Sequence, residues 1–472
     1  MNPTIDISRR LFLGGAAAWT AWPKNLLGDG EPVRGKGGKA LRAGTPWETP
    51  QGLATDAVMV RRLYLDLAGR IPTLEEAQDY ALSTAPKKRT ALVDKLLASC
   101  DFADYWTMRF CDILRVKSEF PINLWPNAVY VYHARVRAFV ERNEPWDAFG
   151  RDLLTAQGSD FRDGAANFFR ATDRRTPEGW AEATAQTFLG IPPDQLKAEI
   201  RTKIADFFTN VRIKNTREWK EEIVYVDGPD RRGELCDHLF TARRPAVAAA
   251  FQRRIRGWIF GPDAPAVQTD GELRLKNVLR RIVLSNEYAR GSVTGGFPAR
   301  RLDAEVLDDA FCVLGGDKRN LQSPAPEPFT FLPPKRATIC VEDGSISTSF
   351  LTLFGRPARD TGLPEERGSD VNAKQRLYLF NSGRLHQQLA KLVDPTLGRG
   401  PSTAAAKPMV DRLEDLYWKL LSRAPSARER QVLRIFVKSR MGTGARPRVR
   451  LHQALVDVAW CLVNTKEFLF RV

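Results

Sequence analysis

One phrase occurs twice in this chain, and it limits the possible folds more than any other feature. "RRLYLDLAGRIPTLEEA" runs from Arg61 to Ala77, and "EDLYWKLLSRAPSARER" runs from Glu414 to Arg430. Leu63-Tyr64 aligns with Leu416-Tyr417, Leu67 with Leu420, Arg70 with Arg423 and Pro72 with Pro425. Each copy reads as a helix, a tight stop and a second helix. The prolines block continuation of the first helix. Thr73-x-x-Glu76 and Ser426-x-x-Glu429 are capping boxes, in which a hydroxyl takes a first-turn N–H and the glutamate reaches back.

Each copy is followed by a second phrase, "ALVDKLLASCDF" (Ala91 to Phe102) and "ALVDVAWCLVNTKEF" (Ala454 to Phe468). "LKNVLRRIVLSNEY" (Leu275 to Tyr288) has the same character: an apolar helix closing on a short polar step and an aromatic that packs back under the helix end. The spacing is too irregular for a solenoid of fixed period. Most other segments also read as helices by period and caps. "TPEGWAEATAQTFLG" has Thr176 as cap, Pro177 in the first turn and Gly190 as stop, and "LDAEVLDDAFCVLGG" stops at Gly315-Gly316. "EEIVYVDG" and "RATICVEDG" are the expected strands. The fold class is therefore mainly α, a two-domain helical protein with a few short β-strands. The expected divisions are a leader at 1–28, a Gly/Pro-rich linker at 29–52, and helical domains at 53–228 and 229–472.

The N-terminus reads as an address. Arg9 and Arg10 precede a weakly apolar, Gly/Ala-rich stretch, which resembles a twin-arginine export signal. That stretch is shorter than the roughly 20 residues that span a bilayer. The expected location is outside the cytoplasm, in the periplasm or cell envelope. A formal net charge of +16 points to anionic partners. For an exported chain these are anionic polysaccharide or an envelope protein. Nucleic acid becomes the leading partner only if the chain stays inside the cell.

Motifs for chemistry are sparse. None of the six cysteines forms a C-x-x-C pair, and the four histidines lack H-x-x-x-H spacing, so no metal or cofactor is expected. There is no P-loop, no G-x-G-x-x-G after a strand and no G-x-S-x-G elbow. Arg301, Glu305 and Asp309, spaced i, i+4, i+8, are read as one helix face able to bind a polar ligand or to form an ion-pair face. Arg356 in "FGRPARD" is placed to dock an acidic group of the other domain or of a ligand. Glu221 and Glu222 are adjacent carboxylates, but neighbours on a strand point to opposite faces. Trp47, Trp106, Trp125, Trp146, Trp219 and Trp258 are read mainly as core filling.

The longer phrases resemble a pair of domains found together in exported proteins of planctomycetes, the planctomycete cytochrome-c-associated domains of unknown function. The first domain's marks are "VRRLYLDLAGRIPTLEEA", "NEPWDAFGRDLLTAQGS", "NFFRATD" and "TREWKEEIVYVDG"; the second's are "LRRIVLSNEYA", "RRLDAEVLDDAF", "LFGRPARD" and "LYWKLLSRAPSARE". They cover most of Val60 to Val472 in order. The resemblance implies no known activity. Family members commonly carry a C-x-x-C-H segment after the "FLG" helix, and Thr187 to Phe208 here has no cysteine or histidine. A haem or metal at that position is therefore not expected. The leading reading is an exported binding or scaffold module for an anionic polymer or partner protein. The rival is an exported hydrolase or polysaccharide-processing enzyme with interdomain carboxylates, including Glu305 and Asp309.

Overall fold

The computed structural model describes Thr49 and residues 51–262, 264, 270–292, 296–316, 321–333, 336–393, 408–441 and 447–472. Arg9, Arg10, the leader, nearly all of the linker and Trp47 lie outside the described residues. Among the described residues the chain is mainly helical, with two small antiparallel sheets. One sheet has the order β1-β3-β2, with β1 Gly158–Ser159, β2 Val211–Asn215 and β3 Glu222–Val226. Val211 faces Val226 across the hairpin. The other joins β4, Arg300–Arg301, to β5, Phe470–Arg471.

"EEIVYVDG" supplies β3 as expected. "RATICVEDG" forms a 3-10 turn at Thr338–Cys340 instead of a strand. The physical reason lies in Asp309, whose two carboxylate oxygens accept the Thr338 and Ile339 backbone N–H groups at 2.7 and 3.1 Å. Those amides are no longer free for a ladder.

The repeated phrase is a repeated structure. The helix Asp56–Leu67 stops, and Leu74–Leu82 begins behind a complete Thr73/Glu76 capping box. Arg70 donates to both Glu76 oxygens at 2.7 and 2.8 Å and, through Nε, to Asp101 at 2.6 Å, while its guanidinium lies 4.8 Å from the Tyr64 ring centre. In the second copy Arg423 donates to both Glu429 oxygens at 2.8 Å and to Glu467 at 2.6 Å, and it lies 5.3 Å from the Tyr417 ring. Ser426 and Glu429 exchange the same reciprocal bonds at 3.2 and 2.7 Å.

The third element recurs as well. Ser99, Ser285 and Thr465 each accept the N–H of the aromatic three residues on, namely Phe102, Tyr288 and Phe468. All three aromatics are fully buried. The acid just before each aromatic pairs with an arginine: Asp101 with Arg70, Glu287 with Arg256 and Glu467 with Arg423. The device fixes how one helix ends against the next, because hydroxyl cap, ion pair and apolar plug act at a single corner.

One apolar cluster reaches from Met59 to Phe468 and includes residues of both halves. Trp106 and Trp146 are in it, in keeping with the core-filling expectation. None of the six cysteines, all among the described residues, forms a disulfide; Cys111 and Cys236 are buried as small hydrophobes, and the buried Cys312 sulfur accepts from Arg384 at 3.3 Å. Among the described residues, no helix is long and apolar enough to cross a membrane.

Candidate functional site

Among the places where the halves of the chain meet, two carry candidate chemistry. The first is a buried cluster of charge. The helix Cys100–Ile113 carries Arg109 and Asp112 on its last two turns. Against it lie Asp303 and Glu305, at the start of the helix Ala304–Gly315, and the loop that carries Arg356, Arg359 and Arg367. Arg367 spans the seam: it lies 2.7 Å from Asp112 and 2.7 Å from Glu305. Arg359 binds the other Asp112 oxygen at 2.9 Å. Arg356 lies 3.4 Å from Glu305, and Arg109 pairs with Asp303.

The loop that presents these arginines is folded tightly. Gly355 has φ +80°, and Gly368 N–H donates to its carbonyl at 3.0 Å. A Cβ on Gly355 would collide with the Gly368 carbonyl, so only glycine lets the two strands of the loop touch.

Of the residues singled out from sequence, Arg301 does not share a helix face with Glu305 and Asp309. It lies on β4, because the extended Asp303 delays the helix start to Ala304. Its guanidinium donates to the carbonyls of Leu302, Phe354 and Gly368 at 2.9, 2.8 and 2.7 Å. Arg301 and Glu305 therefore hold the same loop, whereas Asp309 holds Thr338 and Ile339. Arg356 meets an acid of its own half, Glu305, and it is Arg359 of the same "FGRPARD" phrase that reaches Asp112 in the first half. Glu221 and Glu222 diverge as expected: Glu221 accepts from the Ser159 and Thr216 hydroxyls, and Glu222 pairs with Arg170 and Arg175.

Burial alone would raise the Asp303 and Glu305 carboxyls. Arg109 and Arg367 overcome it for Asp303, and Arg367 and Arg356 overcome it for Glu305, so both are held below the ordinary carboxylate range. Such groups stay ionised at neutral pH and are poor proton donors. Their geometry is that of a clamp.

The second region is on the surface. Trp125, Trp219 and Phe329 come from three separate segments and form a cluster, with ring centres 4.6, 5.3 and 5.7 Å apart. Trp219 sits on the turn between β2 and β3 and is 58% exposed. The Lys220 ammonium lies 5.8 Å from both indole rings. Phe331, on the same loop as Phe329, is 65% exposed, and Phe120, on the loop leading to Trp125, is 83% exposed. Trp125 and Lys220 have φ values of +70° and +67°. Side-chain-bearing residues adopt such conformations at a cost and are held there by their surroundings. Core filling therefore holds for Trp106 and Trp146 but not for Trp219. The sequence gives no sign of this, since no local pattern distinguishes an indole at a hairpin tip from one in a helix junction.

Sequence reading missed Arg109, Asp112, Asp303, Arg359 and Arg367. The available signal was the second arginine of "FGRPARD" and the arginine in "PEERG". Neither has a local partner, and Asp112 and Arg367 are 255 residues apart.

Residues 46–202 match the family described as a protein of unknown function, PSCyt2 (DUF1549), and residues 267–437 match the family described as a protein of unknown function, PSD1 (DUF1553). No curated protein and no solved structure matches the chain. The first match holds Arg109, Asp112 and Trp125, and the second holds Asp303, Glu305, Phe329 and the arginine loop, so the charge clamp joins one matched region to the other. The chain belongs to the proteins that carry these two domains of unknown function in tandem.

Proposed function

We propose that this chain is an exported binding module of the cell envelope that holds an anionic polysaccharide on the Trp125–Trp219–Phe329 platform. The observation that carries this reading is Trp219, a large indole left exposed beside two other rings, with an ammonium over its face. Indole faces stack on the apolar faces of sugar rings, and a neighbouring cation pairs with a uronate or sulfate group. The strongly basic composition favours an acidic polymer over a neutral one. Binding is favoured over hydrolysis because the carboxylates at the seam are held by arginines and Asp309 is held by backbone amides. Export rests on the Arg9-Arg10 leader.

The test is a binding titration with uronate-rich, sulfated and neutral polysaccharides. An acidic polymer is expected to bind with salt-sensitive affinity, and Trp219→Ala is expected to weaken it roughly tenfold, about 1.4 kcal/mol. Equal affinity for acidic and neutral polymers, or unchanged affinity in Trp219→Ala, removes the reading. Fractionation of cells expressing an Arg9→Lys, Arg10→Lys variant tests export: the variant should stay inside while the native chain leaves.

A further inference from the structure

The helices Ala427–Met441 and Pro447–Val463 carry a surface that neither region uses. They pack against each other, and Arg450 donates to the Met441 carbonyl at 2.9 Å. The first of the two turns Leu433 and Val437 into the core. Its outer side carries Arg428, Val432, Arg434, Ile435 and Lys438, all exposed. At 3.6 residues per turn these five fall within less than half of the helix circumference, with Ile435 between Lys438 and Arg428. Ile435 is 63% exposed, and Val432, its neighbour at three residues' spacing, is 48% exposed. Val449, at the start of the second helix, is 62% exposed.

The charge on this surface is one-sided. Among the described residues from Ala427 to Arg450, seven arginines and lysines stand against one acid, Glu429. Glu429 is already bound by Arg423 at 2.8 Å. Arg440 pairs with Asp457 at 3.0 Å, whereas Arg428, Arg434, Lys438 and Arg448 are exposed and have no ion-pair partner among the described residues. A second copy of the chain is a poor occupant, since a symmetric contact through this helix would set cations against cations. A soluble polyanion uses the cations but not the exposed aliphatic side chains between them. An anionic bilayer uses both: the cations meet head groups, and the aliphatics enter the acyl boundary.

We infer that the outer face of the helix Ala427–Met441 docks this chain on an anionic membrane surface, with Arg428, Arg434 and Lys438 among the head groups and Val432 and Ile435 at the acyl boundary. The helix lies flat on the surface, because Leu433 and Val437 hold its other side in the core. Two aliphatic side chains bury little area, so the attraction is mainly electrostatic and reversible, roughly fivefold in affinity for each cation brought to the surface. The face shares no residue with the aromatic platform, and the inference stands without the polysaccharide reading.

The test is sedimentation of the full chain with vesicles of phosphatidylglycerol and phosphatidylcholine in equal parts, and with vesicles of phosphatidylcholine alone. Binding to the anionic vesicles only, weakened by salt, is expected. An Arg434→Gln, Lys438→Gln variant should bind them about 25-fold more weakly. Ile435→Ser alters no charge and lies on the surface, so the fold should persist while vesicle binding falls roughly fivefold. Trp219→Ala should bind vesicles as the native chain does, which separates this face from the platform. Polyglutamate serves as the soluble acidic probe. Vesicle binding that Ile435→Ser leaves unchanged, or polyglutamate bound as tightly as the vesicles, assigns the face to an acidic protein or polymer and overturns the membrane assignment. Absence of binding to the anionic vesicles, or its loss in Trp219→Ala, overturns it as well.

Discussion

Glu305 shows how much one buried side chain can hold. It is fully buried and carries Arg367 at 2.7 Å and Arg356 at 3.4 Å. Replacing it by Gln leaves two buried guanidiniums short of an anion. Removing one partner of a buried pair typically costs about 3–5 kcal/mol. Glu305→Gln should therefore lower the denaturant midpoint strongly, and a loss below about 1 kcal/mol would show that the clamp contributes little. Trp219→Ala should behave oppositely. Its ring is largely exposed, so its removal should shift stability by about 0.5 kcal/mol or less, the usual range for surface changes. A large loss of stability would mean that the platform is structural. Sequence spacing pointed to Glu305 and Arg356 but not to Arg367 or Asp112, because partnerships across hundreds of residues have no local pattern.

At the scale of elements, the repeated corner is what the chain reuses. Thr73→Ala and Ser426→Ala each remove one hydroxyl cap and should each cost about 1 kcal/mol, additively, since the two corners share no partner. The capping glutamates make the corners sensitive to pH. Burial would raise Glu76 and Glu429, but hydrogen bonds from Arg70 and Arg423 bring them down to about 2. A folded-state value below the unfolded one means that this stability is fully present above about pH 4.5 and is lost as pH falls toward about 2. A Glu76→Gln, Glu429→Gln variant should therefore be less stable than the native chain at pH 6 and should lose less on acidification. Parallel loss in both proteins between pH 4.5 and 2 would contradict the assignment. This level was largely legible from sequence, because caps, prolines and period are local. Arg423 as the partner of both Glu429 and Glu467 was not, since Glu467 belongs to a different helix.

At the scale of the whole molecule, an apolar cluster, the charge clamp and contacts such as Asp66–Tyr288 and Arg280–Asp94 link the two matched regions. The described structure should unfold as one cooperative unit, with tryptophan fluorescence and far-ultraviolet dichroism following a single transition. Asp112→Asn, which removes the carboxylate that Arg359 and Arg367 share while the Val116 carbonyl still accepts from Arg359 at 3.3 Å, should lower that midpoint or split the transition in two. An unchanged single transition would mean that the core and the other contacts couple the halves without the clamp.

The sequence by itself determined the helical character, the repeated capped corners, the β3 strand and the tandem family resemblance. Each of these depends on residues a few positions apart, where backbone hydrogen bonding and helical period act directly. Only the tertiary structure decided that Arg301 belongs to a strand and that "RATIC" turns instead of extending. It alone decided that the seam carboxylates are clamped, that Trp219 stays outside while Trp146 is enclosed, and that Ile435 is left outside while Leu433 is enclosed. Those outcomes depend on which distant groups meet once the core has formed. The same arginine or indole is solvated, clamped or enclosed according to neighbours that the chain supplies hundreds of residues away.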